Sequence, residues 1–169
     1  MRFEREETIT LEDERERLSD RLDDLAAKAA EAADSEDRDA SGYRAIARKV
    51  ETHLGGVEWL CAEYDADATV TVHALTAGEN ARVEDDLADA RSSRNQDQLP
   101  GATRNFYAAA GLDAAPFLAD DADLKQRKQA VGNLPVGTAK WLYSRVDNLS
   151  SVEGNGYKSF DARLTERRD

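Results

Sequence analysis

Residues Ala68 to Arg91 read ATVTVHALTAGENARVEDDLADAR, and within them the period of the apolar residues changes once. Val70 and Val72 alternate with Thr69, Thr71 and His73, the spacing of a half-buried strand with one apolar face. The alternation stops at Leu75. Thr76-Ala77-Gly78-Glu79 follows, and a Thr with Glu three places on is the signature of a capping box, in which hydroxyl and carboxylate satisfy the orphan amides of a helix start. Val83, Leu87 and Ala90 then give the helix one apolar side, leaving Glu79, Arg82, Asp86 and Asp89 for water. The stretch therefore predicts a strand feeding a capped helix.

Working outward toward the N-terminus, residues 10–64 predict a helical hairpin. Thr10 with Asp13 is a second capping-box signal, and Leu11, Leu18, Leu22, Leu25, Ala29 and Ala32 follow with heptad-like steps, interrupted by Arg15. The narrow seam centred on Leu18, Leu22 and Leu25 needs cover from another helix. That helix is expected within the chain, with a second copy as the alternative, and the three leucines are accordingly candidate partner contacts. DSEDRDAS, residues 34–41, reads as a turn or short linker. Beyond it Tyr43, Ile46, Val50, Leu54, Val57, Cys61 and Tyr64 recur at three and four, a helix of about six turns. Gly55-Gly56 inside that helix is explained by a close crossing, expected with the first helix. Residues 1–9 are charged, with Phe3 and Ile9 able to dock, so a lone edge strand or a loose arm are both open, and the segment is treated as an arm.

Toward the C-terminus, residues 91–102 read as a loop, and a short helix is expected from Thr103 to Gly111, followed by irregular packing of Leu112, Pro116 and Phe117. Asp120 and Asp121 place charge at the start of a helix carrying Leu124 and Val131. Pro135 opens a last helix whose stripe is Val136, Ala139, Leu142, Val146 and Leu149. Trp141 and Tyr143 lie beside that stripe and cannot both join one narrow seam, so each is either core or a partner-binding contact. Residues 151–169 form a polar tail, with Tyr157 and Phe160 as anchors. The fold class expected is mainly α: an N-terminal hairpin, one short strand or small β element, and three to four further helices within residues 65–150, as a single domain.

Asp and Glu number 35 against 23 Lys and Arg, a net charge of −12 spread over every segment. Asp (20) exceeds Glu (15), Arg (17) exceeds Lys (6), and Ala reaches 28. This pattern resembles the proteomes of salt-accumulating archaea and their viruses, where a Debye length of roughly 3 Å at 1 M screens neighbouring carboxylates. Without a basic footprint, nucleic acid is not expected as a partner. No apolar run approaches the ~18 residues that span a bilayer, and MRFEREET has no apolar secretion segment. Cys61, the single cysteine, reads as a small buried hydrophobe.

Chemistry is sparse. His53 and His73 fall in different elements without Cys neighbours at ligand spacing, so no zinc site is expected. Asp120-Asp121-Ala122-Asp123 lacks the ligand pattern of a calcium loop, and no phosphate-binding or nucleophile-elbow motif occurs. The expectation is a protein with no catalytic residue, cofactor or metal.

Taken together, Val70, Val72, Leu75, Thr76, Gly78 and Glu79, then Pro116-Phe117-Leu118, then Leu134-Pro135 with the helix through Leu149 and the Lys158-Ser159 pair, resemble the tail assembly chaperones of long-tailed, siphovirus-like viruses. The likeness covers about residues 68–160. With the composition, it implies a haloarchaeal virus or provirus protein that binds tail tube subunits or the tape measure protein in the host cytoplasm. A structural protein of the virion, such as a head-tail connector, neck or capsid-associated subunit, is the alternative. A small dimeric haloarchaeal interaction protein, joined through Leu18 to Ala32, is the second.

Overall fold

A computed structural model describes residues 5–34 and 40–151. Phe3, most of the 34–41 linker, Tyr157, Phe160 and the Lys158-Ser159 pair lie outside the described residues. The described chain is mainly helical, with the order β1 (Glu6–Thr10), α1 (Leu11–Asp34), α2 (Ala40–Glu63), β2 (Thr69–His73), α3 (Ala77–Arg94), α4 (Pro100–Ala110), β3 (Leu112–Ala114), α5 (Leu124–Gly132) and α6 (Val136–Ser150).

The strand expected at residues 69–73 is the centre of a small antiparallel sheet of order β1-β2-β3. Of its two neighbours, β3 was expected as irregular chain, and β1 was one of the two readings open for the N-terminal residues. Residues 6–10 are an edge strand rather than an arm, pairing Ile9 with Val70 and Glu7 with Val72. The reason is that Ile9 can share the buried face of Val70 and Val72, while Thr8 and Thr71 join their hydroxyls at 3.0 Å beside them. Leu112, expected in irregular chain, pairs with Val72 and buries its side chain on that same face.

β1 runs into α1 without a turn. The first amides of α1 find acceptors in the chain leading into β2: Leu11 donates to the Ala68 carbonyl and Glu12 to that of Ala66, at 3.0 and 2.9 Å. The same bonds set the start of α1 beside the end of α2, so the two helices are antiparallel. Leu11, Leu18, Leu25 and Ala32 are buried at seven-residue intervals. Leu22 is half-buried, packing on the same core. The seam is thus covered from within the chain.

The double glycine of α2 does mark a close crossing, but with α6 rather than α1. A Cβ on Gly56 would stand 2.4 Å from backbone atoms of Gly137 and Thr138, whereas one on Gly55 would meet nothing within 4 Å. Gly56 also accepts a hydrogen bond from the Thr138 hydroxyl at 3.0 Å. Gly56 lies about 100° round the helix from the buried Val57, so the two face different neighbours.

Three boundaries shift. α3 continues through the polar Arg91-Ser92-Ser93-Arg94 and stops at Asn95, left-handed at φ 51°. α4 starts at Pro100 rather than Thr103. α5 is capped by Asp123 with Gln126, not by Asp120 and Asp121. In α6 the buried residues are Thr138, Ala139, Trp141, Leu142 and Val146, while Val136 is 60 % exposed. No helix among the described residues is long and apolar enough to cross a membrane.

Candidate functional site

The strand-to-helix joint carries a connected cluster of polar side chains. At its centre the Thr76 box is complete. Thr76 Oγ1 accepts from the Glu79 amide at 3.3 Å, and Glu79 Oε2 accepts from the amide and hydroxyl of Thr76, both at 2.8 Å. The second Glu79 oxygen lies 3.2 Å from His73 Nε2, and His73 Nδ1 lies 2.7 Å from Asp113 Oδ2. One imidazole therefore ties the end of β2 to β3 and to the first turn of α3. A protonated ring donates to both carboxylates and a neutral ring to only one. Burial alone would raise the Glu79 carboxyl, but the hydrogen bonds from Thr76 and the charge and hydrogen bond of His73 hold it below its ordinary value.

Beside this cluster lies a groove of about 270 Å³. The joint contributes Leu75, Thr76, Ala77 and Asn80, α4 contributes Tyr107, and α6 contributes Tyr143, Val146, Asp147 and Ser150. Ser150 pins the two walls together, accepting from the Leu75 amide at 2.9 Å and donating to the Val146 carbonyl at 2.7 Å. Tyr107 and Tyr143 meet edge to face at 6.4 Å. Burial, then the hydrogen bond to Glu84, pushes the Tyr107 hydroxyl up to about 12. Burial and then the charge of Asp147 raise that of Tyr143. Both phenols stay protonated near neutral pH; Tyr107 gives its one hydrogen to Glu84, whereas Tyr143 makes no hydrogen bond to a described residue. At about 270 Å³ the groove lies just below the range of about 300–1,000 Å³ typical of small-molecule pockets.

The five residues singled out as partner contacts divide. Leu18 and Leu25 are buried between α1 and α2, and Leu22 is half-buried there. Trp141 is 1 % exposed and belongs to the same core, so it is not available as a surface contact. Its indole N–H requires a buried acceptor and finds one in Glu14, at 2.8 Å. Tyr143 is half-buried, like Leu22, and forms a wall of the groove.

Two constellations were missed in the sequence. Glu14 is buried, bridging Trp141 and the guanidinium of Arg17, whose two nitrogens lie 2.7 and 2.8 Å away. Burial pushes its carboxyl up, but these donors, with the charges of Arg17 and Arg145, bring it below its ordinary value. The available signal was spacing, since Glu14 stands three residues after Leu11 on the buried side of the seam. The His73–Asp113 pair, 40 residues apart, had no such signal. Cys61 is half-buried and its thiol is pushed up, chiefly by burial, which lowers its reactivity. Among the described residues, no three His, Cys, Asp or Glu side chains converge to hold a metal. Compared with family models, curated proteins and solved structures, the chain matches none.

Proposed function

We propose that this is a non-enzymatic protein of virus morphogenesis, a tail assembly chaperone that holds a tail tube or tape measure segment until it is built in. The observation that carries the binding role is the groove at the joint, with Tyr107 and Tyr143 as its aromatic walls. It lies on the stretch, Val70 to Glu79, that carries the resemblance to tail assembly chaperones, and the assignment to a viral tail rests on that resemblance. Tyrosine at a groove edge combines large contact area with a hydroxyl donor, the combination that concentrates binding energy in protein interfaces. A charge of −12 keeps a complex soluble while the groove covers one apolar anchor of the partner.

The test is co-purification of the chain with the tail tube and tape measure proteins encoded beside it, for the parent and for Tyr143→Ala. Loss of the complex with an unchanged melting temperature supports the reading. Retention of binding by Tyr143→Ala removes the groove as the site. Detection of the protein in purified particles by mass spectrometry points instead to a connector, neck or capsid-associated subunit. A gene neighbourhood without tail proteins overturns the viral reading.

A further inference from the structure

A second surface, on the side of α2 that α6 crosses, is built from different residues. Ile46, Lys49 and His53 stand at i, i+3 and i+7 on α2, so they share one face. Gly56 continues that face to the contact with Gly137. Lys140, three residues after Gly137, lies one turn further along α6. We infer that this face is a carboxylate-docking site, in which His53, Lys49 and Lys140 receive an acidic segment of a protein partner and Ile46 forms its apolar edge.

His53 is 8 % exposed, and its ring makes no hydrogen bond to any described residue. It is also not sealed in: the buried side-chain atoms left without partners are the Nε atoms of Arg91 and Arg145, so the polar edge of the ring reaches solvent. Lys49 and Lys140 are exposed and form no ion pair among the described residues, in a chain where acids outnumber bases 35 to 23. Burial first, then Lys49, Lys140 and Arg17, bring the His53 imidazole down to about 4, while Glu14 opposes them. Arg17 is already committed to Glu14. What remains is an imidazole edge without a partner, with Lys49 one turn before it on α2, Lys140 one turn past the Gly137 contact on α6, and Ile46, 44 % exposed, on the same face of α2. A carboxylate flanked by an aliphatic residue matches each part. A nucleic acid does not, because its phosphates would extend from two lysines onto a surface of the opposite need, with a net charge of −12.

The experiment is ¹⁵N imidazole NMR of the full chain, titrated with the peptide acetyl-Leu-Glu-Glu-Leu-Glu-amide and, separately, with inorganic phosphate. Saturating peptide is expected to raise the pH midpoint of His53 by about one unit, as an opposite charge at contact distance does. The double variant Lys49→Gln/Lys140→Gln is expected to bind the peptide about tenfold or more weakly, with an unchanged melting temperature because both side chains are exposed. A His53 midpoint that does not move overturns the proposal, as does parent-like affinity in the double variant. Phosphate binding as tightly as the peptide shows a general anion site only and overturns it too. Tyr143→Ala is expected to bind the acidic peptide as the parent does, so failure here and failure of the groove reading are separable.

Discussion

Gly55 and Gly56 are adjacent, equally helical, and expected to respond to alanine with opposite sign. At Gly55 a Cβ meets nothing within 4 Å, so Ala removes unfolded-chain entropy and adds helix propensity, stabilising by about 0.5–1 kcal/mol. At Gly56 the same atom lands 2.4 Å from the Gly137 carbonyl carbon and the Thr138 nitrogen, where ordinary contact begins near 3.4 Å. Both neighbours are backbone and cannot rotate away, so α6 must retreat by about 1 Å. That movement lengthens the Thr138 to Gly56 bond (3.0 Å) and the Trp141 to Glu14 bond (2.8 Å), both buried. Overpacking costs about 1–3 kcal/mol and each weakened buried bond about 1 more, against the same propensity gain, for a net loss of roughly 3 kcal/mol. For a chain of this size, thermal unfolding followed by circular dichroism should show a rise of about 1–4 °C for Gly55→Ala and a fall of about 6–12 °C for Gly56→Ala. Equal shifts of the same sign would refute the assignment of the crossing to Gly56. Gly137→Ala is a second reading of the same contact, since its Cβ would stand 2.7 Å from the Thr52 carbonyl oxygen.

Thr76→Ala should cost about 0.5–2 kcal/mol in urea unfolding, the usual loss for an N-cap, and a larger loss would mean that Glu79 and His73 are released with it. Trp141→Phe should cost about 2–4 kcal/mol by removing volume and the donor to Glu14, and adding Glu14→Gln should recover part of it; a cost under half a kcal/mol would refute the buried bond. The His53 midpoint near 4 lies below that of an unfolded His, so the folded state binds fewer protons between pH 6.5 and 4 and stability falls as pH drops through that window. The effect is at most about 3 kcal/mol, and His53→Gln should flatten the profile there. The lowered carboxyls of Glu14 and Glu79 also lose their contribution on acidification, but below pH 4.5, which separates them from His53. With a net charge of −12, melting temperature should fall from molar salt to tens of millimolar, where the Debye length grows from roughly 3 Å toward 20 Å or more; no change would remove the case for a high-salt origin.

Within the site, legibility followed sequence distance. Thr76 and Glu79 are three residues apart and their bonds are local, so the box was readable before any fold was known. The walls of the groove come from Tyr107 and Tyr143, and the second carboxylate on His73 comes from Asp113; none of these is a neighbour of the joint in sequence. Trp141 illustrates the same limit. Its spacing allowed either a core or a surface position, and what decided between them was Glu14, 127 residues away.

The periodicities of residues 10–64, 69–73 and 77–91 determined a mainly helical chain with a hairpin, a strand and a capped helix, because each depends on contacts within a few turns or on one apolar face. The order and number of strands were decided only in three dimensions. Glu6–Thr10 and Leu112–Ala114 have no pattern strong enough to specify a strand alone, and they become strands because the buried face of Val70 and Val72 supplies ladder partners and apolar cover. Likewise the sequence marked Gly55-Gly56 as a crossing, but which helix crosses there depended on how the side chains of α1 and α6 divide the circumference of α2, a quantity that no local spacing contains.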